Sequence, residues 1–312
     1  MKCARTPGQE DQPKEFMSYA QRLRRIVEYR AVLWTLVKRD LRIRYARSVL
    51  GYLWTLIDPL SMILVYWFVF GKIYQIGNSR SQELRSDGIP FVLFMVAGVL
   101  AWNWFSNSVN ETARALYAER LLVRSTNLPR ELWVIRVVLA KGIEHLLSLP
   151  ILILFILYFA YVEHAVILNW KLVLWIPALL IELILLIGVG LVMAPVTALV
   201  DDFVRIVRIV LRIGFYMTPI VYSLAFLRAK GVGTPATATS AAKAPDAVLG
   251  IMGHVLEYNP LSGIIDLYHQ GIIARESLQW HLWIIAAVIS VLWLVFGMWV
   301  FRKLEKPILK EI

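Results

Sequence analysis

The chain has 312 residues, 59% of them hydrophobic, with a formal net charge of +11 and a mean hydropathy of +0.63. A soluble domain of this length cannot bury so much apolar surface in one core, so the composition excludes an ordinary soluble protein and points to lipid as the solvent. The basic residues cluster just outside the apolar runs, which is the pattern of membrane orientation rather than of a nucleic-acid groove. The single cysteine, Cys3, excludes a disulfide framework and reads as a free cytoplasmic thiol. No cleavable signal peptide is visible, because the first apolar run starts only after about fifty polar and basic residues.

In chain order, residues 1–16 are polar and expected to be mobile. Residues 17–50 form a basic amphipathic segment. Ala20, Leu23, Val27, Ala31, Trp34 and Leu41 recur at helical spacing, while Arg22, Arg25, Arg39 and Arg42 occupy other faces. This pattern predicts a helix lying in the cytoplasmic lipid interface. Six apolar runs follow, at 53–74, 91–109, 132–162, 172–198, 209–226 and 281–301, each near the roughly 20 residues needed to cross a bilayer. The third is too long for one straight crossing and is expected to tilt or to extend into water. Between the last two runs lies an external loop, about 227–279. It contains the Gly-, Pro- and Ala-rich stretch 230–246 and two short amphipathic segments around Asn259-Pro260 that suit re-entrant or interfacial helices. The expected fold class is therefore an all-α polytopic membrane protein. Residues 51–312 form the six-span domain, and the interface helix precedes it.

Lys and Arg set the orientation. With the N-terminus inside, the inside segments hold 22 of them and the outside loops seven. The inside set includes the twelve before Gly51, the cluster Arg114, Arg120, Arg124 and Arg130, and the tail from Arg302 to Lys310. Both termini are thus expected in the cytoplasm, and six spans agree with that. Ionisable groups also fall inside runs: Lys141, Glu144, His145 and Glu182. Such groups are costly in lipid and mark function or pairing. Lys141 and Glu144 are three apart on one helix face and suit mutual neutralisation. By rise per residue, Glu182 comes level with His145 or Ser148. Pro59, Pro150, Pro177, Pro195 and Pro219 are expected at kinks or helix ends, with Asp58-Pro59 helping to break the first span.

No phosphate-binding GxxxxGK loop ending in Ser or Thr occurs, and no set of His, Cys, Asp and Glu has metal-site spacing. Six spans with no visible ATPase must draw energy from a partner, from an ion gradient, or from nothing. The stretch from Arg39 to Leu60, RDLRIRYARSVLGYLWTLIDPL, bears on this. A basic RY segment, then LG, then Trp, then a polar residue and proline inside the first span resembles the type-2 ABC permeases that export O-antigen, teichoic acid and related polymers. Further matches follow in order: Ala97 to Phe105 (AGVLAWNWF), Asn127 to Glu131 (NLPRE), Asp202 followed by Tyr216 to Tyr222 (YMTPIVY), and Tyr258 to Leu261 (YNPL). The long N-terminal arm and the 230–246 insert depart from the pattern.

The resemblance implies a bacterial inner-membrane homodimer working with two copies of a separate ATPase chain. ATP and Mg would be bound on that partner, and this chain would bind no cofactor. It also implies a coupling helix about 111–131 that docks on the ATPase, with Glu119, Arg120, Arg124, Arg130 and Glu131 as charge contacts; the turn from Asp201-Asp202 to Arg205 reads either as a second ATPase contact or as a capped helix start. The implied substrate is a polyprenyl-pyrophosphate-linked glycan. Arg42, Arg44, Tyr45 and Arg47 lie where the cytoplasmic leaflet begins, and guanidinium forks suit phosphate; anchoring to anionic membrane lipids is the plainer reading of the same residues. Trp54, Tyr66, Trp67, Trp102, Trp104, Tyr216 and Tyr222 are candidate channel aromatics for a sliding sugar chain, although Trp and Tyr also accumulate at membrane interfaces. Three other readings stay open: a proton-driven lipid-glycan flippase using Glu144, His145 and Glu182, a membrane glycosyltransferase built on Asp201-Asp202, and a small-molecule ABC exporter permease.

Overall fold

The computed structural model describes residues 19–46, 48–73, 91–162, 170–222, 251, 253–272 and 279–311. The N-terminal 1–16 segment with Cys3, Arg47 and the 230–246 insert lie outside the described residues. All described elements are helical. The interface segment is two helices, α1 (Tyr19–Glu28) and α2 (Arg30–Tyr45), broken at Tyr29, where a single continuous helix was expected. After the 3-10 turn Gly51–Leu53 come α3 (Trp54–Tyr66) and a wider π-helical stretch, Trp67–Ile73. Gly51 has φ of +52°, which only glycine adopts cheaply, and the Ser48 hydroxyl accepts its N–H. α3 runs straight through Pro59 instead of breaking there. Only about one turn precedes the proline, so the helix loses one hydrogen bond rather than its continuity.

α4 (Phe91–Thr112) is followed by two short helices, α5 (Ala115–Ala118) and α6 (Arg120–Ser125), where one coupling helix was expected. α7 (Glu131–Val162) has 32 residues, about 48 Å at helical rise, and so exceeds a hydrocarbon core of about 30 Å. α8 (Trp175–Leu199) follows a 3-10 turn, and Pro177 sits in its first turn, where no intrahelical donor is lost. α9 (Phe203–Met217) has 15 residues and stops before Thr218-Pro219. α10 (Pro260–Ile272) is buried along nearly its whole length, with Asn259 Oδ1 accepting the Leu261 N–H at its start. α11 (Trp280–Glu311) completes the chain. Five described helical stretches are long and apolar enough to cross a membrane: Gly51–Val69, Phe91–Thr112, Glu131–Tyr161, Trp170–Leu199 and Trp280–Ile308. α9 carries Arg205, Arg208 and Arg212 among apolar residues and is shorter than these.

α8 and α11 form the most extensive helix pair, and α4 packs on α7 and α8. Small residues make this approach possible. A Cβ at Gly188 would meet the Leu294 nitrogen at 2.6 Å, so the two backbones nearly touch. α10 fills the space between α4, α8 and α11, held by the Trp175 indole donating to the Tyr268 carbonyl at 3.1 Å and the Trp283 indole donating to Asp266 at 3.0 Å.

Candidate functional site

At one end of the bundle α4 stops, α7 starts and α11 terminates, and there α1 and α2 are fastened by three groups of ion pairs. Arg22 of α1 donates to Glu131 at 2.6 Å and to Glu305 at 2.9 Å, and Arg130 donates to Glu305 at 2.5 Å. Asp40 of α2 receives both bonds of a close pair from Arg136 at 2.6 and 2.7 Å, while Glu119 pairs with Arg39 at 2.5 Å and Arg136 at 3.3 Å. Arg136 is almost fully buried, with its guanidinium 5.0 Å from the Trp133 ring. Arg44 forms a fork with Glu111 at 2.6 and 2.7 Å, and its Nε lies 3.1 Å from Glu144. Lys141 bridges Glu111 and Glu144, each at 2.8 Å.

These geometries decide how the charges behave. Burial disfavours the Arg44 charge, but the hydrogen bond and charge of Glu111 and the charge of Glu144 outweigh it and raise its pKa. Arg22 follows the same pattern, with Glu305 and Glu131 outweighing burial. Burial, then the Glu144 charge, pushes the Tyr45 hydroxyl above its ordinary range, so it stays neutral. Tyr45 also lies 4.5 Å from the Tyr52 ring.

Two clefts share the Arg44–Glu111 fork as a wall. The outer cleft, about 740 Å³, is lined by Asp40, Arg114, Glu119, Arg136 and Arg208 beside that pair. The inner cleft, about 580 Å³, runs between α3, α4 and α7 and is lined by Trp54, Asp58, Asn103, Trp104, Asn107 and His145 among others. Deeper still, the Tyr268 hydroxyl donates to Glu182 Oε2 at 3.1 Å and lies 3.4 Å from His145 Nε2. Glu182 is fully buried, and Trp104 stacks on His145 at 5.0 Å. Among the described residues, no group of three or more His, Cys, Asp and Glu gathers as a metal ion would require.

Of the residues singled out from sequence, Arg44 and Tyr45 sit at the shared wall, and Arg42 is exposed. Glu119, Arg130 and Glu131 turn inward into the ion pairs. Arg120 and Arg124 stay exposed on α6, with Arg120 lying 5.2 Å from the Tyr117 ring. Asp202 is exposed beside Arg205 at 3.7 Å. The aromatics divide. Trp102 and Trp104 are buried, Tyr66 stacks on Phe215 at 5.4 Å, Tyr222 is half-buried, and Trp54, Trp67 and Tyr216 are exposed. The Lys141–Glu144 pair forms as spaced, and Glu182 does come level with His145, through Tyr268. Asp40, Glu111, Arg136, Tyr268 and Glu305 were not singled out. Arg136 had a readable signal, a cation near the start of an apolar run. Its partner Asp40 is 96 residues away, and nothing local marks it.

An all-helical bundle with five helices long and apolar enough to cross a membrane, fastened at one end to an amphipathic N-terminal arm and a polar hairpin, defines a polytopic membrane protein. The chain belongs to the ABC-2 type transporter family, whose pattern matches residues 31–231. It is 24% identical over 281 residues to the O-antigen export system permease protein RfbA of Klebsiella pneumoniae, covering 88% of this chain and 92% of that one. It is 31% identical over 206 residues to the RfbA of Myxococcus xanthus, covering 66% and 74%. The polysialic acid transport protein KpsM of Escherichia coli is 25% identical over 195 residues, covering 60% and 67%.

Proposed function

We propose that this chain is the membrane-spanning subunit of an ATP-driven exporter that moves a lipid-linked polysaccharide, of O-antigen, galactan or teichoic-acid type, out of the cytoplasm. The observation that carries this is the near full-length likeness to permeases of O-antigen export. In this reading the chain is a homodimer in the bacterial inner membrane, with six spans and both termini cytoplasmic. The 209–226 run, to which the second half of α9 belongs, is taken as the fifth span, and α10 is re-entrant. The excess of Lys and Arg at the α1, hairpin and tail end supports that orientation.

Two copies of a separate ATPase chain, holding ATP and Mg, act on the α5–α6 hairpin. Leu121, 78% exposed, stands at its tip with Leu122, Tyr117, Arg120 and Arg124. An apolar tip ringed by arginines, exposed at the polar end of the bundle, suits docking in a protein groove. Glu119, Arg130 and Glu131 brace it from behind, so a push on the tip reaches α1, α2 and α11. Asp202 forms the second contact. The lipid-linked substrate engages beside Arg42–Arg47, its phosphates drawn to arginine forks.

Affinity purification from native membranes followed by an ATPase assay tests the reading. A stoichiometric ATPase that is active with this chain, and uncoupled from export by Leu121→Asp, is the expected result. A chain that purifies without an ATPase while export continues overturns it.

A further inference from the structure

The two clefts differ in charge. The outer one is lined by four arginines (Arg44, Arg114, Arg136, Arg208) against three carboxylates, Asp40, Glu111 and Glu119. Arg114 is exposed and has no ion-pair partner among the described residues. The inner cleft is lined by two cations, Arg44 and Lys141, against three carboxylates, Asp58, Glu111 and Glu144. A phosphate is therefore favoured in the outer cleft and opposed in the inner one.

The inner cleft also presents hydrogen-bonding groups with nothing to bind. Asp58 on α3, and Asn103 and Asn107 on α4, have no side-chain partner among the described residues. The two asparagines are four apart and share a helix face. Within a membrane-spanning bundle such groups are costly unless something polar meets them. A lipid tail would leave all of them unsatisfied. A neutral polyhydroxylated ring fits: a carboxylate and two amides accept and donate to neighbouring hydroxyls, and the exposed Trp54 indole offers an apolar face. The volume is that of a small-molecule pocket.

We propose that the inner cleft is a saccharide subsite that holds the sugar attached directly to the phosphate of the lipid-linked substrate. Asp58, Asn103, Asn107 and Trp54 bind that sugar, and the phosphate lies across the Arg44–Glu111 wall in the outer cleft. The Arg44–Glu111 fork must part for one molecule to occupy both. This rests on the exporter reading and assigns the end of the substrate that the chain recognises.

The test uses the intact complex in lipid nanodiscs and two probes, farnesyl diphosphate and its glucosyl ester. Wild type is expected to bind the glucosyl form about tenfold more tightly. The Asn103→Ala/Asn107→Ala double variant is expected to lose that preference while holding farnesyl diphosphate as wild type does, which also shows that it is folded. Asn110→Ala, whose side chain donates to the Ser106 carbonyl, is expected to keep the preference. Equal affinity for both probes in wild type overturns the subsite and leaves the exporter reading standing on its own co-purification test. A preference that survives in the double variant overturns it too, since the sugar is then held elsewhere.

Discussion

The Gly51–Val69 and Phe91–Thr112 stretches are neighbours in sequence with nearly equal mean hydropathy, yet their places in the chain are opposite. In their most apolar windows 78% of the α4 residues are buried, against 11% of those around α3. α4 is enclosed because small residues meet it on several sides. Gly142 of α7 lies against the Trp104 ring, Gly214 of α9 against Trp102, and Gly98 itself against the Ile220 backbone. α3 instead turns Trp54, Met62, Leu64 and Val65 outward, as the turn before it does Tyr52. Hydropathy therefore reports that a segment lives in lipid or in protein, and cannot distinguish the two. Packing partners make that distinction. In the exporter reading the outward face of α3 belongs to lipid, a second copy or a channel.

The largest effect is expected where backbones meet. Gly188→Leu places side-chain atoms inside the α11 backbone, and the melting temperature of the detergent-solubilised chain should fall by the equivalent of about 3 kcal/mol or more. A normal melt would show that α8 and α11 can separate without loss. Next comes the buried charge. Asp40→Ala leaves Arg136 with Glu119 alone at 3.3 Å. The expected loss is about 2–3 kcal/mol, since a buried cation stripped of its close partner is strongly destabilising and Asp40 is itself partly exposed. Asp40→Asn should recover part of it, and a denaturation midpoint series would read both. A smaller effect, about 1–2 kcal/mol, is expected for Tyr268→Phe, which removes the hydroxyl that donates to the buried Glu182. If protons moved along Glu182, Tyr268 and His145, export by the same variant would fail while stability held, so measuring both separates a structural bridge from a proton route.

How much of this was legible follows from chain distance. The long apolar runs were readable because each is a local property, and α7 matches its expected run almost end to end. The Lys141–Glu144 pair was readable because three residues place both groups on one face. The fastening of α1 and α2 was not. Its partners are 67 to 283 residues apart, and an acid in a polar segment, such as Glu111 or Glu305, looks the same whether paired or solvated. Tyr268 was hidden for another reason. It lies on α10, a helix too short to read as a span, whose burial comes from α4, α8 and α11 and not from its own pattern. Nor does the sequence separate the aromatics: Trp102 and Trp104, two apart in one motif, are buried in this chain, while Trp54 is open to the inner cleft.

The smallest expected effect tests the other half of the comparison. Leu64 on α3 is 52% exposed and Leu100 on α4 is 2% exposed. Leu100→Ala should cost about 2–5 kcal/mol, because it removes buried methylenes and leaves a cavity. Leu64→Ala should change the stability of the solubilised single chain by less than about 0.5 kcal/mol, since detergent covers that face before and after the change. Running the same pair in the purified complex adds the missing term. A Leu64→Ala cost that stays small there assigns the face to lipid. A cost that rises toward that of Leu100→Ala, and grows as the complex is diluted less, assigns it to a protein partner, because only a partner can return to α3 the packing that its own chain withholds.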